Sequence, residues 1–110
     1  YYNTFIMKNI KLFYITCANR SEAKKIGHKL VIQKLAACVN LIGKIHSIYF
    51  WKKKLQSDSE FLIVGKTTTN KIKKLISTVK NIHSYDVPCI VFFDIKKGNP
   101  EYLRWVKSSI

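Results

Sequence analysis

Four strand-like runs interrupted by two helical-period segments constrain this chain more than any other feature. Ile72, Leu75, Ile76, Val79 and Ile82 fall at steps of three and four residues, so one helical stripe carries them all. Asn70 stands where a capping residue is expected. An earlier helix starts at Asn19-Arg20-Ser21-Glu22, a capping side chain three residues ahead of a Glu, and runs to about Leu35 with Ala23, Ile26 and Leu30 inward. Between and around these lie strand-like runs at Lys11–Thr16, Val39–Trp51, Glu60–Thr68 and Val87–Ile95.

Gly43-Lys44 interrupts the second strand and predicts a bulge. Beyond it, alternation puts Ile45, Ser47, Tyr49 and Trp51 on one face and His46, Ile48 and Phe50 on the other. Residues 52–59 read as a polar reversal that closes a long hairpin. Gly98-Asn99-Pro100-Glu101 combines a turn, a cap, a proline at the first helical position and an acid at the positive helix end. It opens a short last helix from Glu101 to about Lys107. The first ten residues show no period and read as a tail or edge segment, leaving residues 11–110 as one domain.

The order β-α-β-β-α-β is two split β-α-β units, a ferredoxin-like α+β sandwich with an added C-terminal helix. Its usual sheet is antiparallel, in the order 4-1-3-2, with both long helices on one face. The other face carries Tyr49, Trp51 and further large apolar groups, and one small helix cannot cover it. Self-association is the simplest cover.

Composition narrows the function classes. The 110 residues carry 20 Lys and Arg against six Asp and Glu, a net charge of +14, which favours anionic partners. Nearly all the cations are Lys, and the excess of Lys, Ile and Asn also has the look of a compositional bias. No apolar run reaches membrane-spanning length, so no membrane is expected. Three cysteines, Cys17, Cys38 and Cys89, form no close pair, which points to a reducing compartment. The expected address is cytoplasmic, or organellar if a targeting segment precedes Tyr1.

Five ordered motifs resemble the CutA family, the divalent-cation-tolerance proteins. They are Lys34-Leu35-Ala36-Ala37-Cys38-Val39-Asn40, Ser47-Ile48-Tyr49-Phe50-Trp51, and Glu60-Phe61-Leu62-Ile63-Val64-Gly65-Lys66-Thr67. Residues 79–88, Val-Lys-Asn-Ile-His-Ser-Tyr-Asp-Val-Pro, and Tyr102-Leu103-Arg104-Trp105 complete the set. The resemblance implies a homotrimer, an association with copper and other divalent cations, and an architectural likeness to the PII signalling proteins, whose ligand clefts lie between subunits. Against the family's His-Pro-Tyr-Glu-x-Pro-Glu pattern, Ser84 stands for Pro, Asp86 for Glu and Cys89 for the last Glu. The bend has Gly43-Lys44 in place of Pro-Gly, and the hairpin tip Lys52-Lys53 in place of Glu-Gly.

Thiolate and imidazole suit copper, so the candidate metal ligands are Cys17, Cys38 and His83, with Asp86 as a nearby carboxylate. Cys17 and Cys89 belong at one end of the sheet and Cys38 at the other, so one protomer does not gather all three. Cys38 and Cys89 also read as core thiols, and His83 as a helix-end histidine satisfied by a backbone carbonyl. The candidate ligand cleft comprises Tyr49, Trp51, Lys66 and Tyr85, the two strand aromatics also reading as subunit contacts. Lys66, a cation inside an apolar strand, needs a partner, and Asp86 or Glu60 could be it. The net charge would repel a free divalent ion, so cation binding calls for local ligands.

Two functions follow as expectations: copper or a similar soft cation bound at intersubunit sites, or a PII-like sensor holding a small anionic ligand in the same cleft. Nucleic acid is not expected, since the aromatic RNP pattern is absent. An enzyme is not expected either, for want of a phosphate-cradling loop, a GxSxG turn or a carboxylate pair.

Overall fold

The computed structural model describes residues 9–110; the expected tail, apart from its last two residues, lies outside them. The chain runs β1 (Ile10–Cys17), α1 (Arg20–Ile32), β2 (Cys38–Trp51), β3 (Lys54–Thr68), a 3-10 turn (Thr69–Lys71), α2 (Ile72–Ile82), β4 (Ile90–Asp94) and α3 (Pro100–Ser109). The sheet order is β2-β3-β1-β4 with every neighbour antiparallel. This is the expected α+β frame.

Alternation along β1 decides what each face buries. Phe13, Ile15 and Cys17 point to the helices and are fully buried with Ala23, Ile26 and Leu30 of α1, Ile63 of β3, and Leu75 and Val79 of α2. Leu12, Tyr14 and Thr16 take the other face. There α3 covers one end only, laying Leu103 and Val106 over Ile10. Ile10 therefore belongs to the first strand, not to a preceding tail: its carbonyl accepts the Ile95 N–H at 3.2 Å. The remainder of that face leaves Ile42, Val91 and Phe93 substantially exposed.

Glycine is required at two points of the sheet. A Cβ on Gly65 would lie 2.2 Å from the Phe13 ring, and one on Gly43 would lie 2.0 Å from the Phe61 ring. The register slips between Gly43 and Ile45, so the bulge sits where Gly43-Lys44 places it. Beyond it, Ile45, Ser47 and Tyr49 pair with Glu60, Asp58 and Gln56, as the alternation predicts. The paired strands project as a long arm, and the described residues extend 49 × 24 × 23 Å.

Several boundaries differ from expectation, each for a local reason. The reversal at the hairpin tip shrinks to Lys52-Lys53, whose φ values of 50° and 66° make the left-handed turn that matches strand twist; Gln56–Ser59 are strand instead. Helix α1 ends at Ile32 because Lys34 adopts φ 58°, and the Leu35 and Ala36 N–H groups both return to the Leu30 carbonyl. Asn70 does not cap α2, since its side chain accepts the Thr68 hydroxyl at 2.6 Å and a 3-10 turn intervenes. Strand β4 starts at Ile90 rather than Val87: Pro88 has no N–H to give, and β4 is an edge strand pairing only with β1. Residues 83–89 thus become a loop, and that loop builds the site.

Candidate cation cleft

Where β1 ends, the 83–89 loop folds back over the sheet against the base of the hairpin arm. The result is a cleft of about 450 Å³. Its walls are aromatic and apolar, from Tyr49, Trp51, Tyr85 and Val87, and its polar groups are Glu60, Asp86, Cys89 and Thr16. Among the described residues no Lys or Arg lines it, although the chain carries 20 of them.

Two phenol–carboxylate hydrogen bonds set the shape. The Tyr85 hydroxyl donates to Glu60 Oε2 at 2.6 Å, and the Tyr49 hydroxyl donates to Asp58 Oδ2 at 2.7 Å. Burial and the bond to Glu60 push the Tyr85 phenol well above its usual range, so it stays a donor. Glu60 is only 7% exposed. Among the described residues no Lys or Arg stands within ion-pair reach of it, which is a costly state for a buried carboxylate.

Behind the cleft, on the helix side, Cys17, Glu22 and His83 bring their ligand atoms within 4.8 Å of one another. His83 and Glu22 are already engaged. His83 Nε2 bonds the Thr16 carbonyl at 2.8 Å, and its Nδ1 accepts the Tyr85 N–H at 3.0 Å; these two bonds put the ring proton on Nε2. Glu22 Oε1 accepts the Ala18 N–H at 2.9 Å and its Oε2 the Ser84 N–H at 2.7 Å. Burial acts to raise the Glu22 carboxyl, but the bonds from Ala18 and Ser84 and the nearby His83 outweigh it and hold the group below the ordinary carboxylate range. Burial, with the charges of Glu22 and Glu60, pushes the Cys17 thiol up to about 12, so a soft metal must displace a firmly held proton there. The trio is a polar staple joining the β1–α1 turn to the 83–85 loop. Glu60, Asp86 and Cys89 line the cleft instead, without forming such a close group of three among the described residues.

The sequence-predicted residues divide among three places. Cys17 and His83 meet in the staple, while Asp86, Tyr49, Trp51 and Tyr85 meet in the cleft. Cys38 lies at the far end of the sheet, opposite Lys66, with its sulfur 3.3 Å from the Tyr102 hydroxyl. Lys66 is there too, and neither Asp86 nor Glu60 is its partner. Its ammonium donates to Asn40 Oδ1 at 3.2 Å and lies 5.9 Å from the Tyr102 ring centroid, because Lys66 shares the face of Glu60 but stands further along β3 by roughly 20 Å, beside α3. Cys89 is exposed rather than a core thiol, since the loop carries it outside the sheet, whereas Cys17 is fully buried. Glu22 and Glu60 are the functional carboxylates that sequence reasoning passed over, one as a helix cap and one as a lysine partner. The signal was scarcity: of only six acids, Glu60 adjoins Phe61 and Asp86 adjoins Tyr85.

Residues 11–109 match the family model described as CutA1 divalent ion tolerance protein. This chain belongs to that family. A Xenopus laevis protein CutA homolog is 42% identical over 104 residues, covering 94% of this chain and 69% of its own length. The Thermus thermophilus divalent-cation tolerance protein CutA is 42% identical over 95 residues, covering 86% of this chain and 92% of its own. The crystal structure of CutA1 from Oryza sativa superposes with a TM-score of 0.90 at 38% identity, covering 94% of this chain and 95% of that one. A curated relative from the same species, named chloroplastic, is 41% identical over 96 residues, covering 87% of this chain and 54% of its own length. Against the animal and plant relatives the chain spans 53 to 69% of their length. Within the family frame, this CutA-family chain carries sulfur at position 89 and, though strongly basic, brings two of its six acids, Glu60 and Asp86, into one cleft. Among the described residues no helix is long and apolar enough to cross a membrane.

Proposed function

We propose that this chain serves divalent-cation tolerance by holding a soft or borderline cation, copper foremost, in the cleft that ends the sheet. It would act as a homotrimer in which a neighbouring copy closes that cleft. The observation that carries the reading is Glu60, a carboxylate 7% exposed whose hydrogen bond comes from a phenol rather than a cation. A metal ion at this point would neutralise the charge. Asp86 would add a second oxygen donor and Cys89 a sulfur, which favours Cu⁺, Cu²⁺ or Zn²⁺ over Mg²⁺ or Ca²⁺. Net charge argues less against this than the sum suggests. Fields beyond about 8 Å are screened at physiological salt, and the local groups are acidic.

The trimer rests on the exposed Ile42, Val91 and Phe93 on the sheet face that α3 leaves bare. An anionic ligand is the weaker reading for this cleft, because Glu60 and Asp86 would repel it and Lys66 stands at the other end of the sheet. With all three thiols free, a reducing cytoplasm or organelle suits the chain. Titration of the purified protein with Zn²⁺ and Cu⁺ tests the reading. Saturable binding should weaken at least about tenfold in the Glu60→Gln, Asp86→Asn double variant and less in Cys17→Ala or His83→Ala. No saturable binding, or binding indifferent to the double variant, would remove it.

A further inference from the structure

The geometry points to a second ligand class for the same cleft: an organic ammonium ion. This inference rests on reading the cleft as a cation site but not on the metal. A metal ion needs donor atoms and gains nothing from apolar walls, yet the three rings of Tyr49, Trp51 and Tyr85 line the cleft with the two carboxylates. Aromatic rings beside carboxylates are the chemistry that recognises alkylated ammonium groups, the rings meeting the diffuse positive charge and its methyl surface while the carboxylate balances it. Two of the three rings are held in place beforehand. Tyr85 is tethered through its hydroxyl to Glu60 and packs against the His83 ring at 4.7 Å between centroids, and Tyr49 is tethered to Asp58. Tethered rings lose little freedom when a ligand arrives. The volume of about 450 Å³ falls in the range of small-molecule pockets, far beyond what one bare ion fills. An anion of the same size would meet Glu60 and Asp86.

Tetramethylammonium chloride is the probe and tert-butanol its neutral counterpart of similar shape, both added at constant ionic strength to the protein in its native assembly. Tryptophan fluorescence and NMR shifts report binding, with Zn²⁺ titrated in parallel. Tetramethylammonium should bind saturably and tert-butanol at least about tenfold more weakly. Trp51→Leu should weaken tetramethylammonium about tenfold while leaving Zn²⁺ binding intact, and Tyr49→Leu repeats the test on a second ring should the first variant fold poorly. No saturable response in the unaltered protein, an equal response to tert-butanol, or binding indifferent to both ring variants would overturn the inference. Tetramethylammonium binding without saturable Zn²⁺ or Cu⁺ binding would retain it and remove the metal reading alone.

Discussion

The two faces of this sheet are built from similar residues and do opposite things. On the helix side Phe13, Ile15 and Ile63 are fully buried, and even the polar trio there has every ligand-capable ring nitrogen and carboxylate oxygen of His83 and Glu22 in use. On the other side Phe93 is 54% exposed and Trp51 51%, and the carboxylates face a cleft. Residue type does not separate the two faces; access to water does. The closed face should carry the stability of the fold, and the open face its assembly and binding.

The sharpest attempt to break that contrast is a pair of apolar substitutions on opposite faces. Phe13→Ala should cost about 3–5 kcal/mol, a large share of the roughly 5–15 kcal/mol that holds a typical domain, read as a shift in the urea midpoint. Gly65→Ala should fail for the converse reason, since its new methyl would fall on the same Phe13 ring. On the open face, Val91→Asp with Phe93→Asp should leave helix content unchanged by circular dichroism. Sedimentation at micromolar concentration should then fall from three chains to one. An unaltered mass would show that this face is not what joins the copies.

How much of this was legible beforehand follows the range of the interactions involved. Helix α2 and the β2–β3 hairpin announce themselves through period and turn chemistry, which are local; so does the bulge, because Gly43 interrupts an otherwise apolar run. The end of α1 was misplaced by a lysine in a conformation glycine favours, which no local pattern marks. The site was half legible. His83, Tyr85 and Asp86 stand together in the chain, but Glu60 reaches Tyr85 across 25 residues and Glu22 reaches Ser84 across 62, contacts that exist only once the loop has folded over the sheet. The expected partner for Lys66 fails on distance rather than face: Glu60 shares its face of β3 but stands roughly 20 Å along the strand.

Polar groups sharpen the contrast further, because access to water should rank them as it ranks the apolar ones. Glu22 belongs to the closed side, its side chain 12% exposed. Glu22→Gln removes a charged acceptor of two backbone N–H groups and should cost about 1–3 kcal/mol. The sign of its pH dependence is fixed by its depressed pKa. The folded carboxyl releases its proton more readily than the unfolded one, so its stabilisation is complete above the ordinary carboxylate range and is lost as pH falls through the lowered value. Denaturation midpoints of the unaltered and Gln proteins should therefore lie apart at neutral pH and converge in acid.

Asp94 is the water-exposed counterpart, on the same helix side as Phe13 but at the sheet edge, and it should show the smallest effect of all. Lys11 hydrogen-bonds it and holds its pKa below the usual range, much as backbone groups hold Glu22. But Asp94 is 60% exposed, and water competes for both partners while dissolved salt screens what attraction remains. Asp94→Asn should leave the urea midpoint within measurement error at physiological salt, with any difference emerging only at low ionic strength. A penalty at physiological salt comparable to that of Glu22→Gln would mean that access to water does not rank these carboxylates, and that the edge of β4 is closed by something beyond a single copy of the chain.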